Sequence, residues 1–160
     1  LDLSALDYAD FDQLIHEAIV IKNEIVKQDP NEQGLRKALN FGHTLGHAIE
    51  SFFLENETKT TLLHGEAIAI GMILESYIAY KKGLLVIEDY EQIKTTIAAI
   101  FETIPFENVD IYSIITLLIH DKKNEYGNIQ FVLLDGIGAT KYNQEVTNDL
   151  IYAAFEDYNS

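Results

Sequence analysis

The sequence predicts a mainly α-helical bundle with one small β-hairpin. Two observations predict it: apolar residues recur at three- and four-residue steps along most of the chain, and only one region is rich in β-branched and aromatic residues. With 160 residues and 48% apolar side chains, the chain is long enough for a substantial core. It shows no internal repeat and no obvious linker, so we expect a single domain over residues 1–160.

The first three helices follow from apolar periodicity and from the residues that stop helices. Apolar positions from Phe11 to Val26 predict a first helix that ends before Pro30, because a residue preceding proline disfavours the helical conformation. A second helix is predicted from Arg36 to about Leu54. The third is predicted from about His64 to Lys82, with Gly83 as its C-terminal stop.

The remaining chain predicts three more helices and the hairpin. The helices are expected near residues 88–103, 109–120 and 147–157. Residues 128–142 are rich in β-branched and aromatic side chains around Asp135 and the glycine after it, which predicts two short antiparallel strands.

The charge and composition exclude several classes of function. The formal net charge is -15, with 11 basic and 26 acidic residues, so a broad nucleic-acid-binding surface is excluded. Cysteine is absent, which excludes disulfides and thiolate metal sites. The start of the sequence lacks the basic end and apolar run that are typical of a signal peptide, and no apolar run reaches about 20 residues. We therefore expect a cytoplasmic protein without a membrane partner and, because Leu1 stands in place of methionine, a piece of a longer chain.

Two histidines lie on one face of the second predicted helix. His43 and His47 are four residues apart, one helical turn, so their imidazoles project to the same side and could share a metal ion or a substrate. Gly42 and Gly46 each cost about 1 kcal/mol relative to alanine inside a helix. Their presence suggests that some other group approaches the backbone closely. The plainer alternative is packing at small residues beside two ordinary core histidines.

A third histidine favours a metal site. His64 stands at the junction of a loop and the third predicted helix, from which its ring can reach a neighbouring helix. Zinc binds imidazole nitrogen and carboxylate oxygen, and a catalytic site uses three protein ligands and an open position. From spacing alone, the ligands are either three histidines or two histidines with a carboxylate such as Glu50 or Glu66.

Polar residues extend the face that carries the histidines. On the second predicted helix, Arg36, Asn40, His43 and His47 form a polar stripe where an apolar face is usual. A guanidinium suits a carboxylate or phosphate, and an amide can donate or accept a hydrogen bond. A strongly acidic protein can bind an anion only by placing several of its cations at one site. The alternative for any single lysine is an ordinary solvated surface residue. Other cations that could join the stripe are Lys22, Lys122 and Lys123.

These motifs resemble the signature of the 3-dehydroquinate synthase family of the shikimate pathway. The likeness rests on RKALNFGHTLGHAIE at residues 36–50 and LHGEAIAIGM at 63–72. It extends upstream through Lys22 and DPNEQGLR, and downstream through HDKKNEYG and FVLLDGIG. The resemblance therefore spans most of the chain, and it is to the C-terminal, mostly helical half of the family.

The resemblance also implies the roles of individual residues. It makes His43 and His64 ligands of Zn²⁺, or of another divalent ion such as Co²⁺, and it makes His47 a substrate contact. The implied catalytic and substrate-binding residues are Lys22, Glu32, Arg36, Asn40, His47 and either Lys122 or Lys123. The implied substrate is a small anionic sugar phosphate. NAD⁺ would be bound mainly by an N-terminal domain, and the complete enzyme would be a homodimer.

Some features depart from the family. The third zinc ligand of the family, a glutamate, lies in a segment that these 160 residues do not contain, and the nucleotide-binding half is also absent. Pro30 stands where the family is usually acidic, and the loop between His47 and His64 is longer than is common. We therefore expect the chain alone to be inactive, to bind zinc weakly and to bind NAD⁺ negligibly.

Two alternative functions follow from the sequence. One is a related sugar-phosphate cyclase such as 2-deoxy-scyllo-inosose synthase, which shares the fold and metal site but takes another sugar phosphate. The other is a non-catalytic helical interaction module with structural histidines, in which the polar residues would be buried without a purpose.

Overall fold

The computed structural model of the chain describes residues 7–120 and 129–160. The chain groups into two compact units, Leu1–Leu39 and Asn40–Ser160. The single domain expected from the sequence stays a prediction. Within the described ranges, no helix is both long and apolar enough to cross a membrane.

The first unit is built on one long helix, α1, Tyr8–Gln28. Asp7 caps its amino end, where the carboxylate accepts two backbone N–H groups of the first turn. Asp10 returns the bond by accepting the N–H of Asp7 at 3.0 Å, which completes a capping box. The helix ends two residues before Pro30, so the predicted first helix is confirmed.

The predicted second helix is wrong at its start. The chain from Leu35 to Asn40 forms a 3-10 helix, and the α-helix α2 spans His43–Glu55. Gly42 separates the two with a φ of 81°, a left-handed conformation that cannot continue an α-helix. Arg36 and Asn40 therefore precede α2, and the stripe of four polar residues on one helix face does not exist.

The second unit contains the remaining elements in the described part of the chain. In order they are α2 (His43–Glu55), α3 (His64–Lys81), α4 (Ile87–Ala98), α5 (Asn108–His120), β1 (Gln130–Leu134), β2 (Thr140–Glu145) and α6 (Asn148–Tyr158). The helix α4 ends at Ala98, earlier than predicted. The mainly helical architecture with one antiparallel hairpin confirms the predicted fold class.

The core of the second unit is centred on α3. This helix contacts α2, α4, α6 and β1, and every residue from Ile73 to Ala79 is buried. A helix surrounded in this way must be apolar on all sides, which is why its sequence shows no polar face. Phe131 of β1 and Phe155 of α6 are fully buried members of the same core.

Gly83 ends α3 as the sequence predicted. It adopts a φ of 71°, which costs glycine little. Its N–H bonds to the carbonyl of Tyr80, and the N–H of Leu84 bonds to the carbonyl of Ala79. This pair of bonds is a Schellman motif, which satisfies carbonyl groups that the helix leaves open.

The predicted hairpin is confirmed within the described residues. Gln130 pairs with Glu145 and Leu134 with Thr140, with an irregularity in the pairing between Phe131 and Leu133. The loop between the strands is linked to the end of α3, because the N–H of Gly136 donates to the carbonyl of Leu84 at 3.1 Å.

Candidate metal centre

Three histidines converge where α2 and α3 begin. His43 is the first residue of α2, His47 lies one turn further along, and His64 is the first residue of α3. Ring centroids are 5.3 Å apart for His43 and His47, and 5.6 Å apart for His47 and His64. The centroids of His43 and His64 are 5.9 Å apart. One ligand nitrogen from each ring lies within 4.8 Å of the others.

This donor set fits a divalent transition metal. Imidazole nitrogen is a preferred ligand of Zn²⁺ and also suits Co²⁺. A tetrahedral zinc with bonds of about 2.0 Å holds two nitrogens roughly 3.3 Å apart. The imidazole nitrogens, which lie within 4.8 Å of one another, are close to that separation. His47 and His64 are exposed and His43 is half-buried, which leaves room for a further ligand.

Hydrogen bonds orient the rings of His43 and His64. Nδ1 of His43 lies 3.1 Å from the carbonyl oxygen of Phe41, and Nδ1 of His64 lies 3.0 Å from Oε2 of Glu50. An imidazole that donates its Nδ1–H to such an acceptor keeps the lone pair on Nε2 for a metal. The pair implied as metal ligands by the resemblance, His43 and His64, is thus oriented as metal-binding histidines usually are.

Glycines let α2 approach α3 at the histidines. A Cβ on Gly71 would overlap the carbonyl oxygen of Gly42, and a Cβ on Gly46 would lie 3.0 Å from the Cα of Ile68. The group that approaches these glycines is therefore the backbone of the neighbouring helix. This packing holds the first turn of α2 against residues 67–72 of α3 and so fixes how the two helices that carry the imidazoles lie against each other.

Glu75 of α3 supports the start of α2, a role that its position in the sequence did not predict. Its side chain is fully buried and accepts the N–H of Gly42 at 2.6 Å and of Leu45 at 3.1 Å. Burial raises the pKa of Glu75 to about 8, although hydrogen bonds from Leu45, Gly42 and Thr44 act in the opposite direction. The available signal was an ionisable residue that interrupts the apolar run ending at Leu74.

In the first unit, the turn after α1 holds Arg36. Its Nη1 donates to the carbonyl of Pro30 at 3.0 Å, and its Nε lies 3.8 Å from Oε2 of Glu32. Glu32 has a φ of 54°, which is unusual for a residue other than glycine. Pro30, which departs from the family pattern, thus contributes a carbonyl group that orients the guanidinium.

Asp29 organises this turn and was also missed by sequence analysis. Its carboxylate accepts the backbone N–H groups of Gln33, Gly34 and Arg36 at 2.8 to 3.1 Å. These bonds, the one from Gln33 first, lower the pKa of Asp29. The signal was an aspartate before proline with a glycine downstream, a combination typical of turns.

The other predicted site residues lie in different parts of the structure. Lys22 is exposed on α1 in the first unit, and Asn40 is half-buried at the end of the 3-10 helix. Lys122 and Lys123 lie outside the described residues. The structure therefore brings three predicted site residues into one cluster, and these are His43, His47 and His64.

Comparisons with known proteins agree with this architecture. The sequence model of the 3-dehydroquinate synthase C-terminal family matches residues 2–124. Similar proteins include the 3-dehydroquinate synthases of Parabacteroides distasonis, 38% identical over 158 residues, and of Helicobacter pylori, 34% identical over 148 residues. These matches cover 98% and 92% of this chain but only 44% and 42% of the relatives. The chain thus spans less than half the length of these relatives.

Solved structures of sugar-phosphate cyclases are also similar. A 2-deoxy-scyllo-inosose synthase complexed with carbaglucose-6-phosphate, NAD⁺ and Co²⁺ matches with a TM-score of 0.73 and 30% identity over 91% of this chain and 40% of its own. A 2-epi-5-epi-valiolone synthase from Streptomyces hygroscopicus subsp. jinggangensis, with NAD⁺ and Zn²⁺ bound, matches with a TM-score of 0.72 and 25% identity over 91% and 39% of the two chains. The sequence match and the shared fold confirm the predicted relationship: the chain belongs to the 3-dehydroquinate synthase C-terminal family.

Proposed function

We propose that this chain is the metal- and substrate-binding part of a 3-dehydroquinate synthase. Such an enzyme converts 3-deoxy-D-arabino-heptulosonate 7-phosphate to 3-dehydroquinate and phosphate, a step in the biosynthesis of aromatic amino acids. The observation that carries the proposal is that His43, His47 and His64 each place one imidazole nitrogen within 4.8 Å of the other two. They do so in a chain whose family is established.

His43 and His64 are proposed to hold the metal ion. Each ring has an oxygen acceptor at Nδ1, so each presents Nε2. A metal held there would supply the Lewis acidity that polarises a hydroxyl group of the substrate, and NAD⁺ would supply the hydride acceptor. His47 is proposed to contact the substrate, because its exposed ring lies against both proposed ligands.

Cationic and amide side chains are proposed to bind the substrate's charged groups. The guanidinium of Arg36 matches the geometry of a carboxylate or phosphate, and the turn set by Asp29 orders it before the substrate arrives. Asn40 can hydrogen-bond a hydroxyl group. In a protein of net charge -15, binding such an anion needs dedicated cations, and we propose Lys22 and one of Lys122 and Lys123 for this role because the family resemblance implies them.

The test measures activity and metal content in the whole protein. We expect phosphate release from 3-deoxy-D-arabino-heptulosonate 7-phosphate in the presence of NAD⁺ and Zn²⁺. His43→Ala and His64→Ala should each remove the bound zinc and the activity, because each removes one imidazole ligand. His16→Ala, at an exposed position of α1, is the matched control and should retain both. Variants that lose stability but keep zinc would favour the interaction module instead.

A second candidate is a related cyclase with another substrate. The 2-deoxy-scyllo-inosose synthase structure favours it, since its TM-score of 0.73 and 30% identity describe a similar fold around a different sugar phosphate. Offering the whole protein glucose 6-phosphate, which carbaglucose-6-phosphate mimics, separates the two. If the protein turns over glucose 6-phosphate but not 3-deoxy-D-arabino-heptulosonate 7-phosphate, the related cyclase is the correct function and the proposed reaction is wrong.

A further inference from the structure

The amino end of α2 has no cap of its own. The N-cap position is Gly42, which has no side chain and makes no side-chain capping bond. The first N–H groups of a helix lack partners within the helix and need acceptors from elsewhere. In α1, by contrast, Asp7 supplies the acceptor from the N-cap position.

Glu75 supplies this acceptor from the neighbouring helix. Oε2 accepts the N–H of Gly42 at 2.6 Å, and Oε1 accepts the N–H of Leu45 at 3.1 Å. The two donors lie on either side of His43. A single carboxyl group from α3 thus spans the turn in which α2 begins.

The same turn determines where the imidazoles lie. The Nδ1 atom of His43 faces the carbonyl of Phe41, so the orientation of this ring depends on the backbone immediately before Gly42. His47 follows one helical turn later and moves with the start of α2. His64 begins α3, the helix that also carries Glu75. A bond from Glu75 to the start of α2 therefore connects the two helices that carry the histidines.

Holding a carboxyl group at this depth is unfavourable. Burial of Glu75 is complete and raises its pKa to about 8, which shows how strongly the interior disfavours its charge. An apolar residue would pack into α3 without that penalty but would leave the N–H groups of Gly42 and Leu45 buried and unpaired. The position of Glu75 is thus explained by the start of α2 and not by the core.

We propose that Glu75 is a positioning residue of the metal centre: by capping α2 from α3, it fixes His43 and His47 relative to His64. The expected effect on metal binding rests on the proposed function. The capping of α2 by Glu75 does not, and it can be measured without any metal. Glu75 itself lies within the core and is not a ligand.

The first measurement is hydrogen exchange in the metal-free whole protein. Glu75→Ala should accelerate exchange in peptides covering residues 42–45, because their N–H groups lose the acceptor. Leu74→Ala is the matched control, since it also truncates a fully buried side chain of α3 but leaves the capping bonds in place. Equal exchange at residues 42–45 in Glu75→Ala and in the unaltered protein would overturn the proposal.

The second measurement is Co²⁺ affinity, followed by the visible absorption of the bound ion. Glu75→Ala should weaken binding about 10- to 100-fold, the range found when support for a metal ligand is removed. Glu75→Gln keeps one carbonyl oxygen as acceptor, so its Co²⁺ affinity should fall less than that of Glu75→Ala. Leu74→Ala should bind Co²⁺ as tightly as the unaltered protein. An affinity and spectrum unchanged in both Glu75 variants would overturn the positioning role, as would a Leu74→Ala loss equal to that of Glu75→Ala.

The two measurements separate this inference from the proposed function. If the unaltered protein takes up no Co²⁺, the proposed metal centre fails and Glu75 has no metal site to position. If Co²⁺ binds and only the Glu75 variants lose affinity while exchange rises at residues 42–45, both proposals hold. Should Glu75→Ala fail to fold, Glu75→Gln decides through the same comparison with Leu74→Ala.

Discussion

Glu50 shows how one carboxylate determines which atom of a histidine is available for a metal. Its Oε2 lies 3.0 Å from Nδ1 of His64, and it stands one turn after His47 in α2. The side chain of His64 is more than half exposed, so little else restricts its ring. The bond therefore limits the ring to orientations that present Nε2.

Replacing Glu50 should weaken metal binding without unfolding the protein. We expect Glu50→Ala to reduce Zn²⁺ affinity about 10- to 100-fold, measured by competition with a chelator, because the ring of His64 would lose its orienting acceptor. The free energy of unfolding should change by less than about 1 kcal/mol, since the pair is partly exposed. Glu55→Ala, an exposed residue of the same helix, should leave both quantities unchanged. Equal zinc affinity in the two variants would contradict this role.

The histidines could be predicted from sequence, whereas their supports could not. His43, His47 and His64 stand in a recognisable motif, and four-residue spacing places the first two on one face. The partners at Nδ1 depend on the fold, because Glu50 and His64 are joined by a loop whose path sequence periodicity does not define.

At the scale of elements, the contact between α2 and α3 is the feature on which the site depends. Gly42, Gly46 and Gly71 lie where the two backbones approach most closely, and a Cβ at any of them would meet atoms of the opposite helix at 3.0 Å or less. Backbone atoms cannot move aside as a flexible side chain can. The two helices can therefore lie this close only because these three positions carry no side chain.

Gly71→Ala should separate the helices. Its Cβ would overlap the carbonyl oxygen of Gly42. We expect the free energy of unfolding to fall by about 1–3 kcal/mol, as in other overpacked cores, and Co²⁺ affinity to fall with it. Gly65→Ala is the matched control in the same helix, because its Cβ would meet nothing within 4 Å. Alanine favours helix by about 1 kcal/mol over glycine, so this control should be as stable as the unaltered protein or more so in denaturant unfolding.

Most helices could be predicted from apolar periodicity, but the start of α2 could not. The apolar spacing before Gly42 is compatible with both a 3-10 and an α-helix, and it suggested one helix from Arg36 onwards. The actual boundary depends on a left-handed glycine and on Glu75, which lies 33 positions beyond Gly42. A contact at that separation belongs to the tertiary structure.

At the scale of the whole molecule, the buried carboxyl group makes stability depend on pH. The pKa of Glu75 rises from 4.5 to about 8 in the folded protein. Between these values the folded state binds more protons at this residue than the unfolded chain. The contribution of Glu75 to the free energy of unfolding is therefore greatest below pH 4.5 and is lost as the pH rises to about 8.

Glu75→Gln should remove this dependence. The loss between pH 5 and pH 8 should be on the order of a few kcal/mol in the unaltered protein and much smaller in the variant, because glutamine does not titrate. Urea unfolding at a series of pH values measures both curves, and their difference isolates Glu75 because the two proteins differ at this residue alone. Parallel curves would contradict a raised pKa at this position.

The direct contact between α2 and α3 has a consequence for the loop that joins them. The direct contact between the two helix backbones sets the distance between the imidazoles. That distance therefore does not depend on the length of the connection at residues 56–63. Longer loops add little closure entropy, about 0.6 kcal/mol per doubling. Insertions and deletions in this connection are therefore compatible with an unchanged metal geometry, and relatives can diverge there in length while their chemistry stays the same.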